Sequence, residues 1–218
     1  MTQKALARVD GSKAVARSQA PSAGQALAKA ADALDRIEQR LALVDERPIW
    51  GEDFKTLAFA VAGVYPGAVA EGGPRAKVTP ETRALLPRLP AAETEQQRAE
   101  ALKADIETAP DRRASLALVS QLLDAFPNGR PANLPVYAAS ITHDLCAIGL
   151  SPVLVARTCQ RVRRAARFLP TVAEMIEAGE AVRKEYRDAL QLAEVNGRRI
   201  KVLREAIEAE DAKQGENG

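Results

Sequence analysis

The sequence predicts an all-α protein: a small helical bundle with a long N-terminal amphipathic, coiled-coil-like helix and a helical C-terminal extension. Three observations carry this. Hydrophobic residues are 46% of the 218 but aromatics only 4%, and alanine is plentiful, which suits helices packed through small side chains better than strands. Apolar residues recur at three- and four-residue spacing through most of the chain. Proline and glycine punctuate these stretches, and no alternating strand pattern survives.

Residues 1–21 scatter Lys4, Arg8, Lys13 and Arg17 among Ala, Ser and Gln, with little to bury, and are expected to be a disordered tail. Residues 22–46 place Leu27, Leu34 and Leu41 at seven-residue spacing, with Ala30, Ile37 and Val44 three residues after each. That is an a/d seam over three heptads. It either docks on the rest of the chain or clasps another helix, as in a homodimer, so Leu27, Leu34 and Leu41 are candidate partner-binding residues.

Residues 47–110 are expected to be a helical, loop-rich connector. Phe54, Leu57, Ala58 and Val61 line a short helix after Trp50, and the segments Tyr65-Pro66-Gly67 and Gly72-Gly73-Pro74 are loops. Thr79-Pro80-Glu81-Thr82 is a helix start with threonine as N-cap and proline at the first helical position, and Pro87 and Pro90 close that turn. Residues 93–108 are polar and helix-prone, a solvated helix or a connector, with Leu102 and Ile106 one turn apart and a boundary at Pro110.

Residues 111–190 form the expected core module. Asp111 or Ser115 opens a helix carrying Leu116, Val119, Leu122, Leu123 and Phe126, stopped by Pro127-Asn128-Gly129-Arg130-Pro131. Pro135 leads a second helix through Tyr137, Ile141, Leu145 and Ile148, with Gly149 near its C-cap. Ser151-Pro152 opens a third. Its Val155, Cys159, Val162 and Ala166 share one face, Arg157, Arg161 and Arg164 lie opposite, and Arg163 and Arg167 are on the flank. A fourth helix carries Val172, Met175, Ile176, Gly179, Val182 and Tyr186. Residues 191–218 are expected to be a separate last helix, with Ile200, Leu203 and Ile207, and a polar, acidic tail.

The corner between the third and fourth helices is the best-defined local feature. Pro170 ends the third helix, because it lacks an N–H and disfavours helical geometry at Leu169. Thr171 and Glu174 have capping-box spacing, and Phe168 or Leu169 is placed to pack back on Met175 as a hydrophobic staple. Phe168, Pro170, Thr171 and Glu174 are therefore expected to build the corner.

Several classes of chemistry lack their residues. There is no phosphate-binding loop, no Gly-x-Ser-x-Gly elbow and no His-Glu-x-x-His helix. The lone His143 reads as a hydrogen-bonded structural residue, and with Cys146 and Cys159 it falls short of a zinc set. The cysteines read as ordinary buried thiols of a reducing, cytoplasmic compartment. No apolar run approaches the ~20 residues needed to cross a bilayer. The expectation is a non-enzyme without metal or cofactor and without a membrane segment. With 31 basic against 29 acidic residues, any contact with nucleic acid has to come from a local patch. Arg157, Arg161, Arg164 and Arg167 are the candidates, since guanidinium forks suit phosphate oxygens or a partner's carboxylates.

The segments Phe126-Pro127-Asn128-Gly129-Arg130-Pro131, Tyr137-Ala138-Ala139-Ser140-Ile141-Thr142-His143-Asp144-Leu145 and Arg163-Arg164-Ala165-Ala166-Arg167-Phe168-Leu169-Pro170-Thr171-Val172-Ala173-Glu174 resemble small phage and prophage replication proteins of the replicative-helicase loader/inhibitor family. The resemblance covers about residues 112–190. It implies an all-helical adaptor without its own ATPase that holds a hexameric helicase and delivers it to DNA. On that reading Phe168, Pro170, Thr171 and Glu174 are structural, while Arg157, Arg161 and Arg164 face a partner protein or DNA. The heptad stripe and the acidic tail are then second contact surfaces. The alternative is a transcriptional regulator that uses residues 136–167 as a helix-turn-helix, with Gly149 in the turn.

Overall fold

The computed structural model describes residues 52–65, 67–126 and 131–216, all within one unit of the chain, residues 37–218. The heptad segment with Leu27, Leu34 and Leu41, the N-terminal tail and residues 127–130 of the Pro-Asn-Gly-Arg loop lie outside the described residues.

The described chain is mostly helical. It runs α1 (Glu52–Ala60), β1 (Val61–Ala62), β2 (Val64–Tyr65), β3 (Ala68–Val69), β4 (Arg75–Ala76), α2 (Pro80–Leu85), a 3-10 turn (Leu86–Arg88), α3 (Ala92–Glu107), α4 (Arg112–Asp124), α5 (Leu134–Ala147), α6 (Pro152–Ala165) and α7 (Val172–Glu216). The strands correct the expectation of none. β1 pairs with β4 and β2 with β3, both antiparallel, so one hairpin is nested in the other. Each strand is two residues long, too short for alternation to show in sequence. Gly63 lets the crossing chain approach: a Cβ there would stand 3.1 Å from the Gly73 carbonyl oxygen, and its φ of +81° strains any other residue.

Helix starts follow their local chemistry. Thr79 caps α2, Asp111 caps α4 through Oδ1 to the Arg113 and Ala114 amides, Asn133 caps α5, and Ser151 caps α6. Ser115, the other start considered for α4, is instead buried inside that helix. Gly149 takes a φ of +79° just past α5, as a helix-ending glycine does.

Two corrections concern the long helices. The expected fourth and last helices are one: α7 runs unbroken for 45 residues through the boundary expected after residue 190. The polar stretch at 92–107 is neither a solvated helix nor a loose connector. α3 lies along α7, burying Ala92, Glu95, Ala99, Leu102 and Asp105. Ala92 and Glu95 come against Gly197, Glu93 pairs with Arg204, and Leu102 reaches the core of Tyr186, so the two helices run antiparallel.

Two apolar cores result. In the first, Leu57, Val61, Val64 and Leu85 pack against Val195, Ile200, Leu203 and Ile207 of α7. In the second, α4, α5 and α6 supply Val119, Leu123, Ile141, Leu145, Leu154 and Val155, packed on Met175, Val182 and Tyr186 of the same helix. Each core removes several large aliphatic side chains from water, at about 1.5–3 kcal/mol apiece. α7 supplies one wall of both.

Candidate functional site

The sequence-predicted site residues fall on α6 and the corner that follows it. α6 ends at Ala165, where Ala166 turns extended (φ −81°, ψ 135°) and its N–H still reaches the Val162 carbonyl at 2.8 Å. Thr171 restarts the helix through the expected capping box. The Glu174 N–H donates to Thr171 Oγ1 at 3.2 Å, and the Thr171 N–H donates to Glu174 Oε2 at 2.7 Å. These hydrogen bonds, the backbone one first, hold the Glu174 carboxyl below the usual carboxylate range. From across the module, the Tyr137 hydroxyl donates to the buried Pro170 carbonyl at 2.7 Å.

Leu169, not Phe168, packs inward here, against the core that holds Met175. Phe168 is 80% exposed, which corrects its expected place in the packing of the corner. With Leu169 turned inward and the chain extended between two helix ends, its neighbour in sequence points outward.

The arginines divide by what they touch. Arg161 is committed to Glu185 at 2.6 Å. Arg157 is half-buried, and its Nη1 donates to the Gln160 side chain at 3.4 Å. Arg163, Arg164 and Arg167 are exposed and form no ion pair among the described residues. Arg163 and Arg164 lie in the last turn of α6, where positive charge complements the partial negative charge of a helix C-terminus. Elsewhere many cations are matched: Arg83 by Glu210 and Asp211, Arg88 by Asp53, Lys184 by Asp188. Of the candidates Arg157, Arg161, Arg164 and Arg167, the last two are exposed and without an ion pair among the described residues, and Arg163 and Phe168 are exposed in the same stretch.

The apolar face of α6 is as expected at Val155, Cys159 and Val162, but burial is not confined to it. Ser151, Val153, Leu154, Ala156 and Thr158 are buried as well, so the first half of α6 is enclosed on nearly every side. Burial pushes the Cys159 thiol up to about 12, against the opposing charge of Arg163. Cys146 is only half-buried. His143 is exposed on α5, and its side chain has no hydrogen-bond partner among the described residues, in place of the hydrogen-bonded structural histidine expected. Among the described residues no group of three or more His, Cys, Asp or Glu could hold a metal ion, and no helix is long and apolar enough to cross a membrane.

Between α3 and α7 lies an open groove of about 680 Å³, floored by Ala92, Ala99, Ala193 and Gly197 and walled by side chains of both signs. On the buried side of this helix pair sit Glu95, Asn196 and Arg199. Glu95 Oε2 and Asn196 Nδ2 have no hydrogen-bond partner among the described residues, and Arg199 donates to the Val64 carbonyl at 3.4 Å. Burial raises the Glu95 carboxyl above its ordinary range, against the opposing charge of Arg98. These residues are not visible in the sequence, because a buried glutamate in a polar helix leaves no local signal.

No protein family matches the chain, and no significant match is found among curated proteins or solved structures.

Proposed function

We propose that the chain is a non-catalytic adaptor of phage or prophage DNA replication, which loads or restrains a replicative helicase through protein–protein contacts. The observation that carries the adaptor reading is the span of α7. Its 45 residues extend about 68 Å at 1.5 Å per residue. At its start stands the corner of Arg163, Arg164 and Arg167; towards its end stand Glu205, Glu208, Glu210 and Asp211, of which Glu205 pairs with Lys201 and Glu210 and Asp211 with Arg83. Exposed surfaces near the two ends of so long a helix suit contact with two molecules at once. The helicase as partner rests on the resemblance of the Phe-Pro helix end, the Tyr137 helix and the Phe-x-Pro-Thr-x-x-Glu corner to the loader/inhibitor family.

The alternative, a helix-turn-helix regulator, needs the first half of α6 in a major groove with side chains reaching base edges. Val153, Leu154, Val155 and Ala156 are buried there, so insertion would have to dismantle the second core. This burial favours the adaptor.

The test is capture of partners by the tagged full-length chain from host lysate, with nuclease added and washes at low and high salt. A hexameric helicase, identified by mass spectrometry and retained after nuclease, is the expected outcome. Recovery of DNA alone, lost steeply as salt rises, would favour the regulator and overturn the adaptor.

A further inference from the structure

We propose that Arg163, Arg164, Arg167 and Phe168 form a binding site for single-stranded nucleic acid, taken without regard to sequence: phosphates on the guanidinium groups and one base stacked on the Phe168 ring. The inference does not rest on the helicase reading and concerns a different ligand.

Four exposed residues of the same short stretch supply the two chemistries that every nucleotide presents. Arg163, Arg164 and Arg167 have no carboxylate partner among the described residues, so their donors are available to phosphate oxygens. The carboxylate of Glu174, at the start of the next helix, is held by the Thr171 N–H and hydroxyl and forms no ion pair with them. Glu185 is likewise occupied by Arg161. Phe168, next to Arg167 in sequence, then adds a phenyl ring that is 80% exposed. An exposed ring of that size is unfavourable in water unless something covers its face. Base stacking does so, and tolerates any base because each has a π-face.

The backbone also suits the task. After Phe168 the corner is fixed by the Tyr137–Pro170 hydrogen bond and the capping box of Thr171, and before it by the Ala166 N–H on the Val162 carbonyl, so little order has to be imposed on binding. A duplex fits poorly, because its bases are already stacked on one another and the ring would have to unstack a step. An acidic peptide without aromatic residues would use the arginines but has no aromatic face to lay on Phe168.

The experiment is fluorescence anisotropy with the full-length chain and dye-labelled oligothymidylate or oligouridylate, against a duplex of equal length, over a range of salt. Both single strands are expected to bind more tightly than the duplex. Phe168→Ala should weaken single-strand binding on the order of 5- to 150-fold while leaving the salt dependence unchanged. Phe168→Tyr should retain the affinity. Arg164→Ala should lower the slope of log affinity against log salt by about 0.7, the share of one phosphate on a single strand. Circular dichroism confirms that each variant keeps its helix content, as the exposure of these side chains predicts. Equal affinity for duplex and single strand, or indifference to Phe168→Ala, would overturn the proposal. So would binding of a polyglutamate peptide in place of the oligonucleotides. Failure here leaves helicase capture untouched, and failure of that capture leaves this binding measurable.

Discussion

The Tyr137 hydroxyl donates to the Pro170 carbonyl at 2.7 Å, joining the first turn of α5 to the corner between α6 and α7, 33 residues along the chain. Tyr137→Phe keeps the ring but orphans a carbonyl on a buried residue. The expected loss is about 1–3 kcal/mol, read as a lower urea midpoint with an unchanged m-value. Phe168→Ala, two residues from that carbonyl, should stay within about 0.5 kcal/mol because its ring touches little protein.

Gly179 and Gly197 both lie inside α7, yet alanine at the two positions should act with opposite sign. A Cβ on Gly179 would come 2.7 Å from Leu150 Cδ1 and 3.4 Å from Leu145 Cδ2, both in fully buried side chains that have no room to yield. Gly179→Ala should therefore cost about 1–3 kcal/mol. At Gly197 the nearest atoms are 3.4 Å away, an ordinary contact. Gly197→Ala should gain about 0.5–1 kcal/mol from helix propensity. Chemical denaturation of the two variants beside the parent decides both signs.

Glu95 makes stability depend on pH in a direction unusual for a carboxylate. Burial raises its folded pKa above the unfolded value, so the folded state favours the protonated form. Its contribution is fully present below the unfolded pKa, roughly 4.3, and is lost as pH rises through the raised folded value. At pH 7 the buried charge is a net cost. Glu95→Gln should therefore raise Tm at pH 7, with a gain that shrinks towards pH 4. An equal gain at both pH values would show that the charge is not what matters.

Cys159 should resist thiol reagents in the native protein, since its thiol is buried and titrates near 12. Half-buried Cys146 should react first. In a Cys146→Ser variant, labelling with a chromogenic disulfide should appear only when denaturant unfolds the second core. Rapid labelling of that variant in buffer would mean that α6 opens locally.

What the sequence made legible was local. The helix starts at Thr79-Pro80, Ser151-Pro152 and Thr171/Glu174 stand where their capping chemistry puts them, because a cap is settled within four residues. The docking of α3 was not legible: its buried face is built from Ala92, Glu95, Ala99 and Asp105, small or acidic residues that mimic a solvated surface. The continuity of α7 was not legible either: its apolar residues around Tyr186 and around Leu203 serve two different cores, and so read as two helices. At the corner, the types of residue were visible and their exposure was not. Whether Phe168 or Leu169 turns inward is decided by the core beneath, and which arginines stay unpaired depends on carboxylates such as Glu185, more than a helix length away.

The position of α7 in the chain also sets the order in which the protein can be completed during synthesis. Every other described element emerges from the ribosome before it, yet Met175, Val182 and Tyr186 close one core and Val195, Ile200 and Leu203 the other. A nascent chain ending near residue 170 holds two incomplete apolar surfaces, with Leu57, Val61, Ile141 and Leu145 still lacking their cover. Neither core can be completed until α7 has emerged, so elements made earlier keep apolar surface uncovered for longer than in a chain whose domains close one by one.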